Sequence, residues 1–156
     1  MSDMQQMPLA LKPPRRLIFD NYIAGENQSV IETLKTGLEA GDWYLITGPH
    51  GSGRTHLMSA LFQHLCDQGQ ASAYVPLSDA NDWPLLDEVT AATVVIDDVD
   101  ALAADPVGEM HLFNALNRWR IEKTTVVMSA AGLSEFALPD LCSRLGQATR
   151  LKLKAL

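Results

Sequence analysis

Eight consecutive residues, Gly48-Pro49-His50-Gly51-Ser52-Gly53-Arg54-Thr55, follow the phosphate-binding pattern G-x-x-x-x-G-K-[ST] at every position but Arg54. Glycines let a backbone turn tightly, so that successive N–H groups point at one place. A helix starting there adds positive potential, and a di- or triphosphate can then be held largely by main chain. Thr55 supplies the hydroxyl expected to meet a magnesium ion, with Pro49, His50, Gly51, Ser52, Gly53, Arg54 and His56 lining the nucleotide. Arg54 keeps the charge of the usual lysine, but its longer planar fork donates in a fixed geometry. The exchange is not neutral for chemistry at a γ-phosphate.

Carboxylates supply the second half of such a site. Thr93-Val94-Val95-Ile96-Asp97-Asp98 is an apolar, β-branched run ending in two acids. Asp97 is placed to hold the magnesium, directly or through water, and Asp98 to orient or deprotonate an attacking water. Ser129, which ends another apolar run, has two readings: it positions water or a phosphate oxygen, or it is a plain strand-end serine. Arg144 also has two. An exposed arginine can act on a nucleotide held by a neighbouring molecule, or it can pair with Asp140 one helical turn away.

These residues need elements to carry them. Trp43–Thr47 reads as a buried strand delivering the loop, and 53–67 as the helix behind it, stopping at Gly69. Further strands are expected at 71–77, 93–98, 124–129 and 149–153. Helices are expected at 28–39, with Val30, Ile31, Leu34 and Leu38 on one face, at 83–88, and at 138–145. A longer one at 106–121 should bury Met110, Phe113, Leu116 and Trp119. Strand–helix alternation implies an α/β fold: a three-layer domain around a five-stranded parallel sheet. Ligands of such sheets sit beyond the carboxyl ends of the strands, the edge to which both the loop and the Asp97–Asp98 pair are delivered.

The chain has 156 residues, enough for one domain with a proper core. Its 12 basic and 19 acidic residues give a net charge of −7, which argues against a surface that coats nucleic acid non-specifically. Contact with DNA is therefore expected only indirectly, through a protein partner. No apolar run reaches membrane-spanning length. The two cysteines, Cys66 and Cys142, lack metal-ligand spacing and read as reduced packing residues of a cytoplasmic protein. The four histidines do not converge in sequence.

Residues 1–16 read as a flexible arm ahead of an ordered domain at 17–156, because Pro13-Pro14 forbids a helix there. Within the arm, Gln6-Met7-Pro8-Leu9-Ala10-Leu11 places apolar side chains in a polar tail. Two readings stand: a disordered leader, or an extended peptide that docks in an apolar groove of a partner.

With these residues assembled, the chain resembles the AAA+ P-loop domains of the DnaA/Hda family, and more closely the Hda-type regulatory inactivators. The resemblance rests on Phe19…Gly25-Glu26-Asn27, on 51–57, on Tyr74-Val75-Pro76-Leu77 and on Ile96-Asp97-Asp98. It continues through Glu109-Met110…Phe113…Asn117-Arg118 and Leu138-Pro139-Asp140-Leu141…Ser143-Arg144-Leu145. It implies bound ADP or ATP with Mg2+, the base near Phe19, Tyr22, Gly25 and Asn27. It implies docking on the replicative sliding clamp through Gln6, Met7, Leu9 and Leu11, and stimulation of ATP hydrolysis by the initiator DnaA, with Arg144 as the arginine finger. Homo-oligomerisation is left open. Hda-type proteins also carry arginine where this chain has Arg54. Ser129-Ala130-Ala131 departs from relatives that carry aspartate at the third position, and the helical lid of the family is expected to be absent. An autonomous P-loop ATPase, such as a helicase-loader-like protein, is the alternative.

Overall fold

Five short segments rich in valine, isoleucine and threonine pair into one wholly parallel sheet. They are β1 (Trp43–Thr47), β2 (Ser72–Pro76), β3 (Thr93–Asp97), β4 (Thr125–Ala130) and β5 (Thr149–Lys152), in the spatial order β2-β3-β4-β1-β5. Every residue of β1, β3 and β4 is buried, as expected of strands covered on both faces. β5 is an edge strand, mostly exposed, and its Arg150 and Lys152 discourage pairing with another chain. The computed structural model describes residues 27–49 and 51–155. Expectations for Gln6, Met7, Leu9, Leu11, Phe19, Tyr22, Gly25 and His50 lie outside the described residues.

Alternate residues of each strand face opposite helical layers. One face, with Tyr44, Ile46, Tyr74, Val95 and Val127, packs against α1 (Gln28–Thr36) and α2 (Arg54–Asp67). The other, with Leu45, Val75, Ile96, Val126 and Met128, packs against α3 (Pro106–Glu122) and α4 (Pro139–Leu145). Two short 3-10 segments, Ala80–Asp87 and Val99–Leu102, complete that second layer. The chain thus forms the expected three-layer α/β domain. From β1 the chain crosses over β4 and β3 to reach β2, so the carboxyl end of β1 lies where connections diverge and a crevice opens.

Local chemistry moved several boundaries. The first helix ends at Thr36, where Gly37 caps it, and not near residue 39. The segment expected to be helical at 83–88 is a 3-10 turn beginning at Ala80, where the Asp79 side chain accepts from the Asn81 N–H. In α3, Leu116 and Trp119 are buried and Phe113 partly so, but Met110 is 44% exposed. Gly108 and Glu109 turn inward instead. A Cβ on Gly108 would lie 2.7 Å from the Trp83 ring, so the helix approaches that ring through bare backbone. Helical spacing then puts Leu112, Ala115 and Trp119 on the inner face and swings Met110 out.

Glu109 itself is a buried acid, 2% exposed. Its carboxylate accepts the N–H groups of Ala104 at 2.6 Å, Ala137 at 2.8 Å and Leu138 at 2.7 Å. One side chain thereby joins the turn before α3 to the turn that starts α4. Burial alone would raise its pKa, but the N–H groups of Ala137, Leu138 and Ala104 outweigh it and hold the carboxyl below its ordinary value. The stabilisation is complete above the ordinary carboxylate range and is lost as pH falls through the lower value of the folded state. Glu109→Gln, which leaves N–H groups unmatched, should cost roughly 1–3 kcal/mol at pH 7 in urea unfolding. The gap to wild type should narrow below about pH 4; a gap that is absent, or the same at every pH, would contradict this.

Candidate functional site

The glycine-rich loop is pinned at its start by both neighbours of β1. The Gly48 N–H donates to the Ala130 carbonyl at 3.3 Å, and the Leu153 N–H donates to the Thr47 carbonyl at 2.7 Å. Gly48 is enclosed: a Cβ there would lie 2.6 Å from Ser52 Oγ and 2.7 Å from Leu153 Cβ. The Ser52 N–H donates to the Pro49 carbonyl at 3.1 Å, closing a turn. Gly51 and Gly53 then take left-handed backbone, φ +88° and +82°, which side chains rarely tolerate. Gly53 is the cap of α2, and no side chain caps that helix. The first-turn N–H groups of Arg54 and Thr55 have no partner inside the helix. Pro49, Gly51 and Thr55 are exposed, Ser52 is buried, and Gly53, Arg54 and His56 are half-buried.

Across the crevice, the carboxyl end of β3 presents Asp97 and Asp98. Asp97 is 2% exposed, and each of its oxygens is hydrogen-bonded. Ser129 Oγ, from β4, donates to Oδ1 at 2.5 Å, and the Tyr74 hydroxyl, from β2, donates to Oδ2 at 3.2 Å. Ser129 Oγ also accepts the Asp98 N–H at 3.0 Å. Ser129 is fully buried, so it acts on the two acids and not on the open crevice. Burial and the charge of Asp97 keep the Tyr74 phenol protonated far above its ordinary range. Asp98 adopts left-handed backbone at φ 60°, a conformation aspartate tolerates better than most residues. Burial first, then the Asp97 charge, raises its pKa, with Arg54 partly offsetting both. Arg54 Nη1 lies 3.3 Å from Asp98 Oδ1, an ion pair joining the loop to the acidic strand end. Asp100 accepts the Ala131 N–H at 3.1 Å and ties the turn after β4 to the same corner.

Thr55 and Asp97 are both hard oxygen donors, the type that magnesium takes. Among the described residues no three histidines, cysteines or acids converge as a metal cluster. Magnesium commonly uses one or two protein carboxylates and completes its shell with phosphate and water. A groove of about 500 Å³, lined by Lys35, His64, Gln68, Glu122 and Lys123 among others, lies at the amino ends of the strands, away from the loop.

Other candidates stand apart from this corner. Asn27 is 1% exposed, and its amide donates to the Lys154 carbonyl at 3.0 Å and accepts the Lys154 N–H at 2.8 Å. It fastens α1 to the chain beyond β5. Arg144 does not pair with Asp140. Its Nε donates to Asn117 Oδ1 at 2.9 Å, and its guanidinium carbon lies 5.7 Å from the centre of the Phe113 ring. Glu109, Phe113 and Asn117 recur every four residues along α3, one stripe that meets the start and the end of α4. The roles of Tyr74, Asn117 and Asp100 escaped sequence reasoning. For Tyr74 there was a signal, since a tyrosine in a buried strand needs a partner for its hydroxyl.

No protein-family model matches the chain. Among solved structures, a DNA replication initiation factor superposes with TM-score 0.76 at 19% identity, covering 90% of this chain and 50% of that one. AMPPCP-bound DnaA from Aquifex aeolicus gives 0.71 at 18% identity, covering 87% and 49%. DnaI gives 0.71 at 14% identity, covering 98% and 97%. The chain spans about half the length of the first two. At these identities the likeness is one of fold: the described residues share the α/β architecture of these solved structures.

Proposed function

We propose that this chain is a nucleotide-binding regulatory adaptor of DNA replication initiation, of the Hda type. The observation that carries the proposal is the corner where the uncapped start of α2 meets the Asp97–Asp98 end of β3. Main-chain N–H groups from Gly51 to Thr55 hold the phosphates of ADP or ATP, and Thr55 and Asp97 hold Mg2+. The ion's chemistry is to neutralise phosphate charge. Pro49, His50, Ser52 and His56 are assigned to the phosphates and Phe19, Tyr22 and Gly25 to the base, while the Asn27 amide is engaged by the Lys154 backbone. Support for a nucleotide comes also from the shared fold, since DnaA of that fold was solved with AMPPCP.

Arg54 and Asp98 argue for slow turnover. Asp98 is the group suited to activate water, and an ion pair with Arg54 engages one of its oxygens. Weak intrinsic hydrolysis fits an adaptor that works on a partner's nucleotide. Arg144 suits that work: Asn117 fixes Nε and leaves the two Nη groups to meet an anion from another molecule. The partner is the initiator DnaA, brought close when Gln6, Met7, Leu9 and Leu11 dock on the sliding clamp, in the cytoplasm. Residues 1–16 serve as the docking arm and 17–156 as the nucleotide-binding domain.

An autonomous ATPase of the helicase-loader kind is the alternative, resting on the same loop and the Asp97–Asp98 pair. Ordinary hydrolysis rates by the isolated protein would select it.

MgADP should raise the melting midpoint, by mass action on the folded state. The double variant Thr55→Ala, Asp97→Ala should lose most of that rise; an unchanged rise would remove the assigned site. Arg144→Ala should bind nucleotide normally yet stimulate DnaA hydrolysis at least tenfold less, as loss of an arginine acting in trans costs that or more. Undiminished stimulation would confine Arg144 to its contact with Asn117. Replacing Gln6 and Leu9 with alanine should abolish retention on immobilised clamp without lowering the melting midpoint; full retention would exclude the arm.

A further inference from the structure

We propose that Tyr74 is a positioning residue for the divalent cation, its hydroxyl fixing the Asp97 carboxylate from the side opposite Ser129. The inference rests on the reading of this corner as a nucleotide and magnesium site. Tyr74 is 3% exposed, and its ring packs on Phe62 with centroids 5.9 Å apart. A phenylalanine would fill that space equally well and would avoid burying a phenol. The hydroxyl is accounted for by its neighbours: it donates to Asp97 Oδ2 at 3.2 Å, and Ser59 lies beside it on α2. Ser59 is one helical turn from Thr55, so the hydroxyl sits at the seam between the two elements that carry the cation's protein ligands.

A carboxylate on a single χ2 axis swings unless both oxygens are held. Ser129 from β4 holds Oδ1 and Tyr74 from β2 holds Oδ2, one donor from each strand flanking β3. Each oxygen keeps a second lone pair for a cation or its water. Neighbours that orient a metal-binding group in this way commonly change metal affinity 10–100-fold when removed.

The test is calorimetric titration of the full chain with ADP, once with Mg2+ and once with EDTA. The quantity read is the ratio of the two dissociation constants. Tyr74→Phe should shrink that ratio about tenfold while leaving the EDTA value unchanged. An unchanged ratio, or equal weakening in Mg2+ and EDTA, would overturn the proposal and leave Tyr74 a packing residue. Absence of ADP binding by the wild-type chain would instead overturn the nucleotide reading beneath it. Should Tyr74→Phe fail to fold, 19F NMR of the 3-fluorotyrosine-labelled wild-type chain decides. The Tyr74 resonance should move when Mg2+ is added to the ADP complex, and a resonance indifferent to Mg2+ would overturn the proposal.

Discussion

A carboxylate buried at the end of a parallel strand has to be hydrogen-bonded on both oxygens, because water is not there to do it. Asp97 meets that demand with hydroxyls from β2 and β4, and the consequence is structural as well as chemical. Three adjacent strands become registered at their carboxyl ends by side chains, in addition to the main-chain ladder. Ser129 extends the arrangement by accepting the Asp98 N–H, which supports the left-handed backbone at Asp98. Asp98 in turn reaches Arg54 at the start of α2. Loop, acidic strand end and neighbouring strands thus form one connected polar corner over an apolar sheet.

The second layer shows a related economy. α4 is only seven residues long, and no side chain caps its start. Glu109 accepts the N–H groups of Ala137 and Leu138 at that start, and Asn117 takes the Arg144 side chain near its end. A short helix with little helical stability of its own is held by a longer one at both ends. Arg144 owes its orientation to α3 more than to its own helix.

Much of this was legible in the sequence for definite reasons. The apolar runs 43–46, 94–96 and 126–128 have no polar interruption, so both faces had to be covered and the sheet had to be parallel. The loop spacing and the acids at a strand end placed the two halves of the site on one edge. Side-chain pairing was not legible, because it depends on register. The pairing of β2 with β3 brings Tyr74 within reach of Asp97, and no local pattern in the chain announces that pairing. Met110 shows the same limit from the other side. Its helical spacing suited burial, but Gly108 and Glu109 had tertiary partners that turned the helix. Arg144 and Asp140 had the spacing of an ion pair, yet Asn117 on another helix provided the better-placed acceptor.

The central claim is that the N–H groups between β1 and α2 grip phosphate while Asp97 tethers the accompanying cation. A crystal structure of the full chain grown with excess MgADP tests it most directly. The account requires phosphate oxygens against the backbone from Gly51 to Thr55, and a cation between Thr55 and Asp97. A crevice without nucleotide, with Arg54 still closed onto Asp98, would contradict it.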